Sequence, residues 1–352
     1  MNVFFRVDSS SLLGNGHLIR CINFANLLRL ENNKLNINFI IIDYKNEKKK
    51  LILDKNFKIH LIKHNNNYQH NISKDLNKIK WHKNYQKQNF TDVKEILLKF
   101  SNSILIVDHY ALKYNWQKNI YKYCKKLIIF DDFAENKSFC DILINQNFHY
   151  ELINKYKKLV KKNTKIFIGP EYAFLEENFY SYNYKIRNKI KHVLIYLGSF
   201  NNEKLYNLII NSVEKLDYHA KYTLIIDKKI NIKFKNKKNF KIITKNKPMH
   251  KILKNIDICI GACGISIWER FKFGIPSIVI VTSKNQLRDS INLHKIGAIL
   301  NLGYFKSINS NKIIKSLEAI FFDVNKYKQM QSKSYTIMKK NKIKNKILSL
   351  VK

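Results

Sequence analysis

The chain is poor in cysteine, glycine and proline. Its 352 residues include five cysteines, nine glycines and three prolines. The cysteines are scattered and form no Cys-x-x-Cys pair, so neither a disulfide framework nor a zinc ribbon is expected. We predict that they are reduced packing residues in a protein without a bound metal.

Long apolar runs are also missing. None approaches the roughly 18 residues that cross a bilayer, so no membrane span is predicted. Charged residues at positions 6 and 8 come too early for a signal peptide, and a cytoplasmic location is the expectation. Apolar residues nevertheless make up 45% of the chain, which excludes wholesale disorder and provides for a sizeable core.

Acidic residues are scarce beside basic ones. The chain has 26 Asp and Glu against 65 Lys and Arg, a formal charge of +39. Such a charge attracts nucleic acid, acidic lipid or anionic small molecules. Here the excess accompanies heavy use of Asn and Ile and is spread along the chain, as in the product of an AT-rich coding sequence. A dedicated nucleic-acid binder concentrates its lysines beside exposed aromatics, so no specific nucleic-acid partner is predicted.

Short apolar runs alternate with amphipathic segments along most of the chain. One series of strand-like runs lies at residues 3–7, 37–43, 58–62, 103–110, 126–132 and 141–145, and a second at 192–198, 222–227, 240–244, 256–261 and 276–281. Runs that are apolar throughout suit parallel strands covered on both faces. The pattern predicts an α/β protein of two Rossmann-like, doubly wound lobes with a cleft between them.

The same pattern sets the predicted boundaries. The first lobe covers residues 1–180, the second covers 181–305, and a basic helical tail covers 306–352. In such bilobal folds a terminal helix can cross back to the first lobe. The polar stretch Lys63–Asn89 shows no clear periodicity, so we expect a long surface loop there.

The stretch from Val3 to Leu30 passes from strand to turn to helix within a short span. Glycines at 14 and 16 permit a sharp turn, and the apolar positions after His17 keep helical spacing. His17 is therefore expected at a helix N-terminus beyond the carboxyl end of a strand, where ligands gather in open α/β sheets. A surface histidine beside a capped helix is the alternative, because Gly-x-Gly alone is a weak signal.

A second strand-to-helix turn lies at GACGISIWE, residues 261–269. Glycines there would let a diphosphate approach the backbone, Ser266 offers a hydroxyl donor, and the helix start supplies aligned N–H groups. Glu269 is placed to accept hydrogen bonds from ribose hydroxyls. We predict nucleotide binding at this turn, and an ordinary tight turn with a surface glutamate is the alternative. The predicted nucleotide-binding residues are Gly198, Gly261, Gly264, Ser266 and Glu269.

Six segments occur in an order that resembles a known family. They are RVDSSSLLGNGHLIRC (6–21), IVDHYALKYNWQ (106–117), FDDFAENKSFCDILINQN (130–147), GPEYAFLEENF (169–179), the turn at 261–269 and KNQ (284–286). Together they are similar to the UDP-2,4-diacetamido-2,4,6-trideoxy-beta-L-altropyranose hydrolases of pseudaminic acid biosynthesis. That family shares the GT-B fold of nucleotide-sugar glycosyltransferases such as the one that makes lipid II. The chain departs from it at Gly198–Asn201, where relatives usually carry Gly-Gly, then Ser or Thr, then Asp.

The resemblance implies an enzyme that releases UDP from a UDP-diacetamido-trideoxyhexose in surface glycan biosynthesis. His17 is then the catalytic base, and Tyr110 and Asn285 lie around the sugar. Asp8, which follows its strand, is a supporting residue that orients His17 or the sugar. The predicted substrate-binding set is Asp8, Gly16, Tyr110, Asn285 and Gln286.

The implied chemistry needs one base and an anion cradle. UDP is a weakly basic leaving group, so a second carboxyl acting as general acid is not required. A histidine at a helix N-terminus is favoured in its neutral form, which accepts a proton from water. Attack opposite the departing UDP predicts inversion at the anomeric carbon. No Asp-x-Asp pair is present, and neither a metal nor another cofactor is predicted.

Other assignments stay open at this point. The GT-B fold also serves UDP-sugar glycosyltransferases and hydrolysing epimerases, and a basic nucleic-acid-binding protein is the candidate from another class. Asp108, Asp131 and Asp132 also end strands, and Asp108 could, like Asp8, orient His17 or the sugar. Such carboxylates often serve as caps or turn formers, so all three stay outside the predicted catalytic set. A monomer is expected.

Overall fold

The computed structural model describes residues 1–10, 13–44, 49–72, 79–182, 184, 186–216, 218–226, 230–244, 248–341 and 343–351. Ser11 and Leu12 of the first motif, and residues 73–78 of the expected loop, lie outside the described residues. The chain divides into two compact units. Unit 1 comprises Met1–Glu177 and Lys342–Lys352, and unit 2 comprises Asn178–Asn341.

Unit 1 is built on a parallel sheet of seven strands. In chain order its nine strands are β1 (Asn2–Val7), β2 (Asn36–Ile42), β3 (Lys58–Ile62), β4 (His70–Ile72), β5 (Ile79–Trp81), β6 (Ile104–Asp108), β7 (Lys126–Phe130), β8 (Ile142–Asn145) and β9 (Lys165–Ile168). The order in the large sheet is β3-β2-β1-β6-β7-β8-β9, while β4 and β5 form a separate antiparallel pair. The strand order reverses between β1 and β6, where the carboxyl ends of parallel strands open a ligand site in this class of sheet.

Helices cover this sheet between the strands. They are α1 (Gly16–Glu31), α2 (Lys50–Leu53), α3 (Tyr85–Leu97), α4 (Tyr114–Ile120) and α5 (Ile153–Leu159). One side of the sheet packs on a cluster of aliphatic and aromatic residues that includes Phe4, Leu105, Val107 and Trp116, all at most 2% exposed. Every residue of β6 is buried, which explains its apolar run ILIV.

Unit 2 repeats the arrangement with six parallel strands. They are β10 (His192–Tyr196), β11 (Lys221–Ile226), β12 (Phe240–Thr244), β13 (Ile258–Ala262), β14 (Ser277–Val281) and β15 (Ile299–Tyr304), ordered β12-β11-β10-β13-β14-β15. The helices are α6 (Glu203–Val213), α7 (Met249–Leu253), α8 (Ser266–Lys272), α9 (Leu287–Lys295), α10 (Ser310–Phe321) and α11 (Val324–Lys339). The strand order reverses between β10 and β13. Two Rossmann-like lobes of parallel sheet are thus confirmed.

The last helix, α12 (Ile343–Val351), belongs to unit 1 and contacts α1. Its apolar face is buried through Ile343, Ile347, Leu350 and Val351. The described residues after 306 include the helices α10, α11 and α12, and they are divided between the two units. Residues 306–341 pack within unit 2, because α10 contacts α6 and α11 contacts α8.

One expectation about local structure is wrong, and one strand was not foreseen. The loop expected at Lys63–Asn89 contains the strands β4 and β5, and α3 already begins at Tyr85. This polar stretch packs on the core through buried aromatic side chains, because Tyr68 and Tyr85 are at most 1% exposed. The strand β15 was not expected from the sequence, because only two of its six residues are fully buried.

Candidate active site

His17 lies in the first turn of α1, directly after a loop. Hydrogen bonds between residues of this loop hold it together. The Ser9 hydroxyl lies 3.1 Å from the Gly14 carbonyl oxygen and 2.9 Å from Oδ1 of Asn15. Gly14 has φ +70°, a left-handed conformation that suits glycine. Gly16 is the first residue of α1 and is exposed. The loop therefore presents the imidazole beyond the carboxyl end of β1.

The His17 side chain pairs with Asp108, the last residue of β6. Nδ1 of His17 forms a hydrogen bond with Oδ1 of Asp108. The Asp108 side chain has no exposed surface, whereas the His17 side chain keeps 18%. Burial alone would raise the pKa of Asp108, but the charge of Arg20 and the hydrogen bonds from Arg20 and His17 hold it well below its ordinary value. The carboxylate is therefore charged.

A charged Asp108 determines which imidazole nitrogen carries the proton. A carboxylate only accepts hydrogen bonds, so Nδ1 of His17 must be the donor. Nε2 of the neutral ring then keeps its lone pair. Within the described residues, Nε2 of His17 has no hydrogen-bond partner. This is the arrangement of a general base whose orientation is fixed by a carboxylate.

Arg20 joins two buried aspartates beside His17. Its Nε donates to Oδ2 of Asp108, and its Nη2 donates to Oδ1 of the same carboxylate at 2.6 Å. Nη1 and Nη2 also donate to Asp132 at 3.0 and 3.2 Å. Arg20 follows His17 by three residues, so both side chains leave the same face of α1. The short contact of 3.2 Å between Arg20 Nη2 and His17 Nδ1 joins two donors that share Oδ1 of Asp108.

Tyr110 lies against His17, as the prediction of a shared site requires. Its ring meets the imidazole edge-on, with the centroids 4.6 Å apart. Its hydroxyl donates to Oδ2 of Asp132 at 2.6 Å, and Asn147 donates to Oδ1 of that residue at 3.1 Å. Burial and the charge of Asp132 raise the pKa of Tyr110 well above its ordinary value, so the phenol keeps its proton. Contact between Tyr110 and a sugar stays a prediction.

Asp8 belongs to a different buried cluster. Its carboxylate accepts two hydrogen bonds from Arg6, at 2.6 and 2.7 Å, and one from Tyr85 at 2.9 Å. Nε2 of His109 lies 3.0 Å away, and the backbone N–H of Ile42 donates at 2.9 Å. The Asp8 side chain has no exposed surface. Its role towards a substrate stays a prediction, and every partner described for it is a protein group that holds the ends of β1, β2 and β6 together.

In unit 2 the predicted nucleotide-binding residues lie around the ends of β10 and β13. Gly198 follows β10 with φ +70°, and no atom lies within 4 Å of where its Cβ would stand. Ser266 is the first residue of the seven-residue helix α8, and Glu269 lies in the first turn. Both side chains are partly exposed.

The two glycines of the GACG segment differ in their surroundings. Gly261 lies inside β13, where a Cβ would collide with the Tyr196 carbonyl oxygen and stand 2.6 Å from Nη1 of Arg270. The glycine is thus required by the close packing of protein atoms. Gly264 has an open side, because the nearest atom to its Cβ position, Nε2 of Gln286, is 3.8 Å away.

The same contact brings the KNQ segment next to the GACG segment. Oε1 of Gln286 accepts hydrogen bonds from the backbone and hydroxyl of Thr282, at 3.1 and 3.2 Å, so its amide nitrogen is directed away from them. Oδ1 of Asn285 accepts from Ser283 at 2.5 Å. Gly264 and Gln286 are therefore neighbours in unit 2, whereas Asn285, predicted near the sugar, is held by its own turn.

Sequence reasoning identified the partners of His17 only in part. Asp108 was considered as a residue that could orient His17 but was left outside the predicted catalytic set with Asp132, and Arg20 was not considered. The available signal was the three-residue spacing of His17 and Arg20 on a helix that begins at a strand end. The described residues contain no cluster of three or more His, Cys, Asp or Glu side chains arranged to hold a metal ion. Among them, no helix combines the length and apolar character needed to span a membrane.

Comparison with known proteins gives the class of fold. Residues 192–347 match the family model described as the glycosyltransferase family 28 C-terminal domain. MurG from Acinetobacter baumannii superposes with a TM-score of 0.65 at 12% identity, covering 99% of both chains. UGT2 from Phytolacca americana, complexed with UDP-2fluoro-glucose and pterostilbene, gives a TM-score of 0.70 at 10% identity over 99% of this chain and 98% of that one. The chain thus has the two-lobed GT-B fold of glycosyltransferases.

Two curated relatives are recognisable by sequence. The uncharacterized protein MJ1062 of Methanocaldococcus jannaschii is 25% identical over 305 residues, 82% of this chain and 57% of that protein. The spore coat polysaccharide biosynthesis protein SpsG of Bacillus subtilis is 23% identical over 171 residues, 46% of this chain and 50% of that protein. The chain spans about half the length of the curated relatives it matches. The resemblance to hydrolases of pseudaminic acid biosynthesis stays a prediction.

Proposed function

We propose that the chain is a UDP-sugar-dependent glycosyltransferase in which His17 is the general base. The observation that carries the proposal is the His17–Asp108 pair, because it leaves Nε2 of an oriented, partly exposed imidazole available to a proton donor. The match of residues 192–347 to a glycosyltransferase C-terminal domain supports the donor class. The relative named for spore coat polysaccharide biosynthesis supports a role in making surface glycans.

The proposed chemistry is a single displacement. His17 takes the proton of an acceptor hydroxyl, the acceptor oxygen forms a bond with the anomeric carbon, and the bond from that carbon to the UDP oxygen breaks. One base and a good leaving group suffice for this step, and the configuration at the anomeric carbon inverts. Asp108 stabilises the imidazolium that forms. Residues 261–269 and Gly198 contribute the nucleotide site in unit 2.

Hydrolysis is the second candidate, because the same base can take a proton from water. The resemblance of the segments around His17 and Tyr110 to the UDP-diacetamido-trideoxyhexose hydrolases favours it. The two candidates differ only in the acceptor. Both need a UDP-sugar, and neither needs a residue beyond those described.

The test is UDP release from a panel of UDP-N-acetylhexosamines and UDP-diacetamido-trideoxyhexoses, each with and without sugar and lipid-linked acceptors. Release only with an acceptor supports transfer, and release with equal appearance of free sugar supports hydrolysis. NMR of the first product gives its anomeric configuration, for which we expect inversion. His17→Gln should remove activity, whereas His64→Gln, a change at an exposed histidine, should retain it. No UDP release from any donor would refute the proposal.

A further inference from the structure

Three charged side chains are buried together behind His17. Arg20 and Asp132 are each 3% exposed, and Asp108 is 1% exposed. The carboxylates of Asp108 and Asp132 repel each other, and buried like charges are tolerated only where a cation or hydrogen-bond donors compensate them. Arg20 is the cation that contacts both. Tyr110 and Asn147 add hydrogen bonds to Asp132, and the Cys21 thiol lies 3.7 Å from Asp108.

The hydrogen bonds of Arg20 also fix the direction of the Asp108 carboxylate. Nε and Nη2 of Arg20 contact different oxygens of Asp108, so the planar guanidinium defines the plane of the carboxylate. Oδ1 of Asp108 is then left with a lone pair directed at Nδ1 of His17. The guanidinium itself is held over the Phe130 ring, 4.7 Å from the centroid. Neither Asp108 nor Arg20 is free to turn.

We propose, on the basis of the function proposed above, that Arg20 is a positioning residue that fixes the orientation of His17 through Asp108. Asp132 is the second carboxylate that holds Arg20 in place. The guanidinium holds two carboxylates in one plane, which a lysine ammonium cannot do because it is a point charge. Loss of this plane lets the Asp108 carboxylate rotate, and the imidazole then loses its fixed donor partner. A displacement of about 1 Å at a reacting group costs on the order of 10²-fold in rate.

Unit 2 contains a control for this proposal. Nε of Arg187 lies 3.3 Å from Oδ1 of Asp257, in another largely buried pair. Neither residue belongs to the predicted catalytic or binding sets. Arg187→Lys and Arg20→Lys therefore change the same type of pair, but only the second touches the carboxylate that orients His17.

The first measurement is kinetic. We expect Arg20→Lys to lower kcat for UDP release by about 10- to 100-fold with little change in KM, because ground-state binding of the nucleotide does not use this cluster. Arg187→Lys should keep kcat within about threefold. Circular dichroism checks that each variant is folded at the assay temperature. Equal losses of kcat in the two folded variants, or no loss in Arg20→Lys, would overturn the proposal.

The second measurement does not depend on activity. In protein with ¹⁵N-labelled histidine, the Nδ1 proton of His17 is assigned by its absence in His17→Gln. We expect its signal in the wild type and in Arg187→Lys, and its loss in Arg20→Lys. Asp132→Asn removes the charge of the second carboxylate that holds Arg20 but leaves Arg20 bound to Asp108. We expect a weaker Nδ1 signal in this variant than in the wild type, which keeps the proposal testable if Arg20→Lys fails to fold; a signal as strong as in the wild type would contradict it. If the wild type releases no UDP, the proposed function fails and this signal still decides the role of Arg20.

Discussion

Replacing Asp108 by Asn should change the tautomer of His17, so that the proton of the neutral ring moves from Nδ1 to Nε2. The amide has one acceptor oxygen and one donor nitrogen. With its oxygen in the place of Oδ2 it still accepts from Nε of Arg20, while the nitrogen in the place of Oδ1 can no longer accept from Nη2. The amide NH₂ then faces Nδ1 of His17. Nδ1 must become the acceptor, and the proton moves to Nε2. His17 stays in place but can no longer act as a base.

The expected loss is large in rate and moderate in stability. Removing a general base, or inverting the histidine tautomer, lowers kcat by about 10² to 10⁴-fold. The folded state loses hydrogen bonds to a charged partner, which cost about 1.5 to 3 kcal/mol. The loss stays in that range because Arg20 keeps Asp132, at 3.0 and 3.2 Å, as a counter-charge.

The assay compares Asp108→Asn with Asp131→Asn. Asp131 uses Oδ1 to accept from the backbone N–H groups of Phe133 and Ala134, at 2.7 and 2.8 Å, and an Asn oxygen can do the same. We expect kcat of Asp131→Asn to stay near the wild-type value. UDP release gives kcat, and urea unfolding gives the free energy of unfolding. A folded Asp108→Asn with kcat within tenfold of the wild type would show that His17 does not depend on this carboxylate.

Three further predictions concern unit 2 and acid stability. Gly261→Ala should lower the free energy of unfolding by about 1 to 3 kcal/mol in urea titrations, because its Cβ meets backbone, whereas Gly264→Ala should cost less than half as much. Glu269→Ala should raise the Kd for UDP in calorimetry with a smaller effect on kcat, and an unchanged Kd would make Glu269 a surface residue. Acid should destabilise unit 1, because neighbouring cations outweigh burial and lower the folded-state pKa of three aspartates. The stability that these carboxylates contribute is fully present above their unfolded-state pKa of about 3.9 and is lost as the pH falls below it. Acid titration followed by circular dichroism, repeated with Asp108→Asn, should show a shallower loss in the variant; the three residues are Asp8, Asp108 and Asp132.

The sequence predicted those parts of the fold whose signals are local. The apolar run Val3–Val7, the glycines before His17 and the helical spacing after it lie within thirty residues of one another, and the structure has β1, the loop and α1 there. The structure of Lys63–Asn89 was predicted wrongly because its local signals are weak. Its strands are only three residues long, and its few buried aromatic side chains are separated by polar residues that hide the periodicity.

The partners of His17 were not predictable in the same way. Asp108 lies 91 residues further along the chain, and it meets His17 because β6 is the neighbour of β1 in the sheet. Strand order is a property of the folded chain that no spacing of residues reveals. Asp108, Asp131 and Asp132 were all left outside the predicted catalytic set, and only their contacts separate Asp108, which binds His17, from Asp131, which caps a turn.

The position of α12 has a consequence for the synthesis of the protein. Unit 1 takes its residues from both ends of the chain, and α12 covers part of α1 with four buried apolar residues. A ribosome that has produced the whole seven-stranded sheet must still translate all of unit 2 before these residues emerge. During that interval the surface of α1 that α12 will cover is exposed to water, on the same helix that carries His17 and Arg20. The lobe that is translated first is thus completed only after unit 2 has been made.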